Sequence, residues 1–535
     1  MIWIFACHPP PPPLPVATPI VLDDIQLLRR LSLDLRGTVP TVPEVLRVET
    51  NPQELNVLRD EFMEDARFKD RMVSFFSEQW HTTIDVFDVV YFDYHLDPEE
   101  EYTFERSVGE EPLRLIAHVA ALDLPWSETV LADYTLANQM LMDIWPLEAQ
   151  NETSETSWFQ AKYTDGRPPV GLLATNGLWW RYTTDDSNMN RSRAAAISRL
   201  MLCEDILARP VSFSTLELED IGTGDASSAT LTNPSCLACH STLDPMASTL
   251  FGFWWLSLYS TIEETSYHPE REALGEEYLQ TESAYFGEPV DGLADLGPMI
   301  ANDPRFYSCA VETMAKAFWR RPITAEDRPT LHEHWLHFMN EDTKIKALIR
   351  SITDGDEYRV GDFDIEPSPE LSARYRSSAM QSPDQLASSV EELTGFRWVV
   401  DGFDMMKSDE LGFRSLAGGV DGLNTFQPQP NPGITWVFTL QRFSQLAGQY
   451  VAENDLDGED AVLLTLVTAE TRYYEAAFVQ QLKELHMRIF SIPATEKWIE
   501  DMTILWEEVD LMEGPTQAWA SVVSLNLRDP RFVFY

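Results

Sequence analysis

Apolar positions recur every three to four residues through most of this chain, and strand-like alternation is scarce. From about Asp23, Ile25, Leu27, Leu28, Leu31, Leu33 and Leu35 mix with Arg29, Arg30 and Arg36 in a helical pattern that Gly37 ends. Pro43 and Glu44 open the next helix. Over 55–80, Leu58, Phe62, Phe68, Met72, Phe75 and Phe76 fall at helical intervals, which predicts amphipathic helices. Residues 98–101 read as an acidic loop, and helical periodicity returns over 112–122. A further helix is predicted over 192–207 from Ala194, Ala195, Ala196, Ile197, Leu200, Met201 and Ile206. The acidic stretch 262–282 reads as a surface loop with a short helix, and 306–358 is helical again. The predicted fold class is mainly α.

A divergent copy of 306–358 lies near the C-terminus. Phe318, Pro322, Thr324 and Trp335 are paralleled by Phe490, Pro493, Thr495 and Trp506, with one constant offset for the Pro, Thr and Trp positions. Residues 347–351 and Tyr358 correspond to 521–525 and Phe532 after a small shift. This reads as a duplicated helical unit. At 535 residues the chain is too long for one core. The expected division is a leader and Pro-rich spacer (1–20), an N-terminal helical domain (21–155), a middle domain (156–304), a helical domain (305–362), and a C-terminal helical domain with a partial repeat of it (363–535).

Charge narrows the partners. Asp and Glu number 87 against 39 Lys and Arg, a formal net charge of −48. Such a surface repels nucleic acid and anionic membrane, and suits a basic partner or divalent cations such as Ca²⁺. No apolar run has membrane-spanning length, so any membrane association is expected through a lipid. Residues 1–7 resemble the tail end of a bacterial lipoprotein signal, with Ala6 before a lipidated Cys7, but they are short and lack a basic region. Pro9 to Pro13, Pro15 and Pro19 then suggest a stiff polyproline II tether, against the alternative of a disordered or mis-started N-terminus.

The most specific chemistry is Cys236-Leu237-Ala238-Cys239-His240. C-x-x-C-H is the attachment signature of c-type haem: two thiols one helical turn apart bond the porphyrin edge, and the next residue ligates the iron. A zinc site would need a second C-x-x-C or a spaced His pair, and none follows. No strand–helix context suggests a thioredoxin-type redox pair. The middle domain is therefore read as an embedded c-type cytochrome module. The motif implies export, because this haem is attached outside the bacterial cytoplasm. Cys203 and Cys309 either pair there or remain two buried thiols.

Several stretches resemble the planctomycete-type cytochrome C families of uncharacterised function, which also occur in myxobacteria and relatives. LLRRLSLDLRGTVPTVPEV (27–45) and FKDRMVSFFSEQW (68–80) resemble their opening module. SETVLADYTLANQML (127–141), with Tyr134-Thr135-Leu136-Ala137-Asn138, resembles the next. VGLLATNGLWW (170–180), RSRAAAISRLMLCEDIL (191–207) and NPSCLACHSTLDPM (233–246) resemble the haem-bearing module. Residues 286–322 and 348–359 resemble the helical module after it. The resemblance covers about 20–360. It implies a covalently haem-bound exported protein and a disulfide between Cys203 and Cys309, but no activity. The chain departs from the pattern at 250–255, where Leu250-Phe251-Gly252-Phe253-Trp254-Trp255 replaces an acidic segment.

Within the site, Cys236 and Cys239 are expected to carry the thioethers and His240 to be the proximal ligand. The Leu243-Asp244-Pro245 turn is placed to orient it through a backbone carbonyl. Met246 follows His240 too closely to pass round the ring, so Met299, Met314, His268 and His81 are the distal candidates, with core packing the alternative for each Met. Trp179-Trp180 and Trp254-Trp255 line either the haem pocket or a core. His332, His334 and His337 form H-x-H-x-x-H, in which His334 and His337 share a helix face, read as a metal site or a solvated face. The function expected is electron transfer with a redox partner at the cell surface or in the periplasm, the protein being periplasmic or anchored to the outer membrane. The alternatives are a haem peroxidase or oxidase with an open iron position, and a structural component of an extracellular assembly, including a homo-oligomer.

Overall fold

The computed structural model describes residues 17–83, 91–150, 158–185, 187–210, 230–254, 266–375, 378–409, 411–422, 424–457 and 460–535. Cys7, the proline run before Pro19, and Trp255 lie outside them. The fold is mainly helical. The leading helices are α1 (Asp24–Arg36), α2 (Val42–Thr50), α3 (Glu54–Glu64), α4 (Arg67–Trp80) and α5 (Glu101–Ala121). The middle contributes α6 (Arg191–Leu202) and α7 (Pro234–Ser248). Next come α8 (Pro304–Trp319), α9 (Arg328–Asn340), α10 (Ile345–Asp354) and α11 (Asp356–Arg359). The C-terminal part holds α12 (Pro383–Thr394), α13 (Ile434–Asp455), α14 (Ala476–Phe490), α15 (Glu496–Glu513), α16 (Pro515–Leu527) and α17 (Pro530–Val533).

Helix α1 is the spine. The Asp23 carboxylate accepts the Ile25 and Gln26 N–H groups at 3.0 and 2.8 Å, and Gln26 reaches back to the Asp23 N–H. Gly37 ends the helix with φ of 75°, a left-handed conformation that glycine takes at little cost. Every residue from Leu27 to Arg36 is buried. Leu27, Leu28, Leu31 and Leu35 belong to a first hydrophobic cluster that continues to Tyr358. Leu33 and Val39 belong to a second, built from Met380 to Val533. The segments 21–155, 156–304 and 305–362 thus share one core, and 363–535 builds another against α1. A third, smaller cluster around Phe104, Trp145 and Trp180 lies by a three-stranded antiparallel sheet, in spatial order 135–137, 159–163, 147–149.

The elements after α8 occur twice in the same order. Helix α8 ends at Arg320 with φ of 54°, and α14 ends at Ser491 with φ of 63°. Thr324 and Thr495 then cap the turn or helix that follows, and two helices and a four-residue helix complete each unit. Consecutive arginines of α1 hold one unit each. Arg30 donates to the carbonyls of Tyr358 (2.5 Å) and Val360 (3.2 Å). Arg29 donates to those of Ile489 (2.8 Å) and Phe532 (3.0 Å), and its burial lowers its pKa to about 10. Asp34 accepts hydroxyl hydrogens from Tyr358 (3.1 Å) and Tyr535 (2.6 Å). These buried charges are thus each given a partner.

The structure corrects three sequence expectations. Residues 98–101 are not a loop: a 3₁₀ turn leads straight into α5, which begins at Glu101 and runs through Pro112. Proline 112 frees the Val108 carbonyl, and Gly177 packs so close there that a Cβ would lie 2.1 Å from that oxygen. The helix expected over 192–207 stops at Leu202, because Cys203 turns left-handed with φ of 53°. The expected spacer does not reach residue 20. Pro19–Val21 is a strand antiparallel to Val360–Phe363, and Thr18 N–H bonds the Asp364 carboxylate at 2.7 Å. A proline starts a strand without loss where no N–H is needed.

The second core depends on a close helix crossing. A Cβ at Gly448 of α13 would stand 2.4 Å from the Ala520 carbonyl of α16. Gly448→Ala is expected to cost about 1–3 kcal/mol through overpacking, read as a lowered urea midpoint. Among the described residues, no helix is long and apolar enough to cross a membrane.

Candidate haem-attachment site

The motif sits in the first half of α7. Asn233 caps the helix, its side-chain oxygen accepting the N–H groups of Ser235 (2.8 Å) and Cys236 (3.4 Å), and Pro234 occupies a first-turn position where no N–H is required. The first two turns face outward: Ala238 and Ser241 are exposed and Cys236, Cys239 and His240 half-buried. From Leu243 the helix turns into the first core. Both thiols are free. Cys239 Sγ lies 3.5 Å from the Ile206 carbonyl oxygen, and Cys236 Sγ has no partner among the described residues.

His240 Nδ1 stands 2.9 Å from Asp244 Oδ1, one turn along the helix. Arg191 of α6 donates to both Asp244 oxygens, through Nε at 2.7 Å and a terminal nitrogen at 3.2 Å. Burial would raise the Asp244 pKa, but the His240 and Arg191 hydrogen bonds outweigh it and hold the carboxyl below its usual range. An ionised carboxylate on Nδ1 keeps the proton there and leaves the Nε2 lone pair for a metal. The orienting group is therefore a side chain, not the backbone carbonyl expected. Nor do Leu243-Asp244-Pro245 form the turn expected, for α7 continues through Pro245 to Ser248. The carbonyl that Pro245 frees belongs to Ser241, an exposed position, which makes the proline tolerable.

The remaining candidates are dispersed. Met314 is fully buried in the first core, and Met299 packs against it. His268 places Nδ1 3.1 Å from Glu270, and among the described residues its buried Nε2 and that of His81 have no partner. Among the described residues none of these four hydrogen-bonds to α7. Trp179 and Trp254 belong to the first core and Trp180 to the third. Leu250, Phe251, Phe253 and Trp254 are buried, so the described part of 250–255 is core. His334 is buried, with Nδ1 2.7 Å from Ser351 Oγ, whereas His332 and His337 are exposed, so His334 and His337 do not share an environment. Among the described residues no three or more His, Cys, Asp or Glu side chains form a metal-holding group.

Cys203, after α6, and Cys309, in α8, form a disulfide with a Cα–Cα distance of 5.2 Å. It joins the helix that carries Arg191 to one that follows the C-x-x-C-H helix in sequence.

Two unpaired thiols at one-turn spacing and an oriented imidazole with a free Nε2 make a donor set that fits covalent haem. Asp244 could have been found from its i+4 spacing to His240; Arg191, 53 residues away in sequence, had no local signal. Comparison with protein families, curated proteins and solved structures finds no match to this chain.

Proposed function

We propose that this chain is an exported c-type cytochrome of the planctomycete-type families, with one haem on Cys236 and Cys239 and His240 as the proximal ligand. The observation that carries the reading is the pairing of free, half-buried thiols with a histidine whose Nδ1 is held by a buried, ionised Asp244. Bound there, haem supplies one-electron chemistry at the iron. The chain's part is to present the two thiols on an outward helix face, orient the imidazole, and through Arg191 keep Asp244 charged. Its role is electron transfer in the periplasm or at the cell surface. The net charge of −48 favours a basic redox partner, steered by long-range attraction. Lipid attachment at Cys7 is the proposed tether.

The ferrous spectrum tests the role. Electron transfer predicts a low-spin spectrum that carbon monoxide leaves unchanged. A high-spin form that binds carbon monoxide would overturn electron transfer in favour of a peroxidase or oxidase.

A further inference from the structure

A cavity of about 580 Å³ opens where the end of α4, α6 and α8 meet the segment carrying Phe426 and Gln427. None of Cys236, Cys239 and His240 lines it, and nothing above assigns it a role. In a chain with more than twice as many acids as bases, it gathers Arg181, Arg199 and Lys316, none of which has an ion-pair partner among the described residues. Among the described residues the Arg181 side chain donates only to carbonyls, those of His81 and Gly422, both at 2.7 Å, and the Arg199 side chain makes no hydrogen bond. The two guanidinium carbons lie 5.1 and 5.4 Å from the centre of the same Tyr182 ring. Two cations held at one ring, neither with an ion-pair partner among the described residues, repel each other, and a bound anion would relieve that repulsion.

Of the two carboxylates in the lining, one is paired with a cation and the other, Asp205, is solvent-exposed and bonded to its own turn. Glu312 pairs with Arg328 at 3.1 Å, and Asp205 accepts the Leu207 N–H at 3.0 Å. His81 adds a buried Nε2 that has no hydrogen-bond partner among the described residues, and its ring meets Phe426 edge-on at 5.7 Å. Burial, with Arg181 and Arg199 nearby, lowers its pKa to about 4, so the imidazole is neutral near pH 7 and available as a hydrogen-bond donor or acceptor. The rest of the wall includes Tyr182, Leu200 and Phe426, the last 54 % exposed at the rim. A cavity of this size, with convergent polar groups on an apolar wall, is of the kind that takes a small organic molecule.

We propose that this cavity binds an organic anion, its oxyanion head held by Arg181, Arg199 and Lys316 and its apolar body packed against Tyr182, Leu200 and Phe426. Burying an aromatic body against this wall is expected to strengthen binding about tenfold or more over a bare carboxylate. Calorimetric titration of the full chain at low ionic strength, with benzoate and with acetate, tests it. The expected result is one saturable benzoate site, at least tenfold tighter than acetate, weakened at least tenfold in Arg199→Gln and in Lys316→Gln. Circular dichroism checks that each variant folds; the Lys316 side chain has no bonded partner among the described residues, so Lys316→Gln keeps the test open if Arg199→Gln does not fold. Absence of saturable benzoate binding, benzoate no tighter than acetate, or undiminished affinity in a folded variant would overturn the proposal.

Discussion

Replacing Cys236 and Cys239 together by alanine is expected to abolish covalent haem entirely while leaving the helical fold in place. The two effects separate because of where the thiols sit. Both are half-buried on the outward face of α7, and neither takes part in a disulfide. Among the described residues the Cys239 thiol makes one weak contact to a carbonyl, and the Cys236 thiol none. Alanine is the strongest helix former, so the substitution keeps the backbone and removes only the nucleophilic sulfurs. The helix remains anchored by its Asn233 cap and by Leu243, Met246 and Ala247 in the first core. Haem that resists acid-acetone extraction, assayed as its pyridine complex, should vanish from the double variant. Circular dichroism should be unchanged.

Loss of the Cys203–Cys309 disulfide should carry the largest stability effect. It closes a loop spanning 106 residues that includes α7 and its C-x-x-C-H motif. A cross-link across about 100 residues removes loop entropy from the unfolded chain worth up to about 4.7 kcal/mol, and removing a native disulfide commonly costs about 2–5 kcal/mol. The Cys203→Ser, Cys309→Ser variant should therefore unfold at a clearly lower urea concentration. Reductant should lower the wild-type midpoint in the same way and leave the variant unaffected. A variant as stable as the oxidised wild type would show that the bridge constrains nothing.

Local signals made some of this legible before the structure. The Asp23 cap, the αL glycine at Gly37 and the leucine pattern between them define α1, and the spacing of the cysteines defines the candidate site. What could not be read depends on long-range packing. Arg29 and Arg30 look like the polar face of a surface helix, yet both are buried, and their carbonyl partners lie about 330 to 500 residues away. Pro112 looks like a helix start but lies inside α5, because Gly177 from a distant segment packs on the carbonyl it frees. Asp244-Pro245 likewise reads as a stop by local rules, whereas burial of Leu243, Met246 and Ala247 carries the helix past it. The pairing of Arg191 with Asp244 and the gathering of Arg181, Arg199 and Lys316 round one cavity arise only when α6 packs against its neighbours.

Whether Cys236, Cys239 and His240 hold one covalent haem is read from the intact mass of the chain, produced with a cytochrome c maturation system and denatured before measurement. The expected result is a mass increase of one haem, located by proteolysis on the peptide containing residues 236–240. A chain at its bare polypeptide mass, or haem that leaves on denaturation, would contradict it.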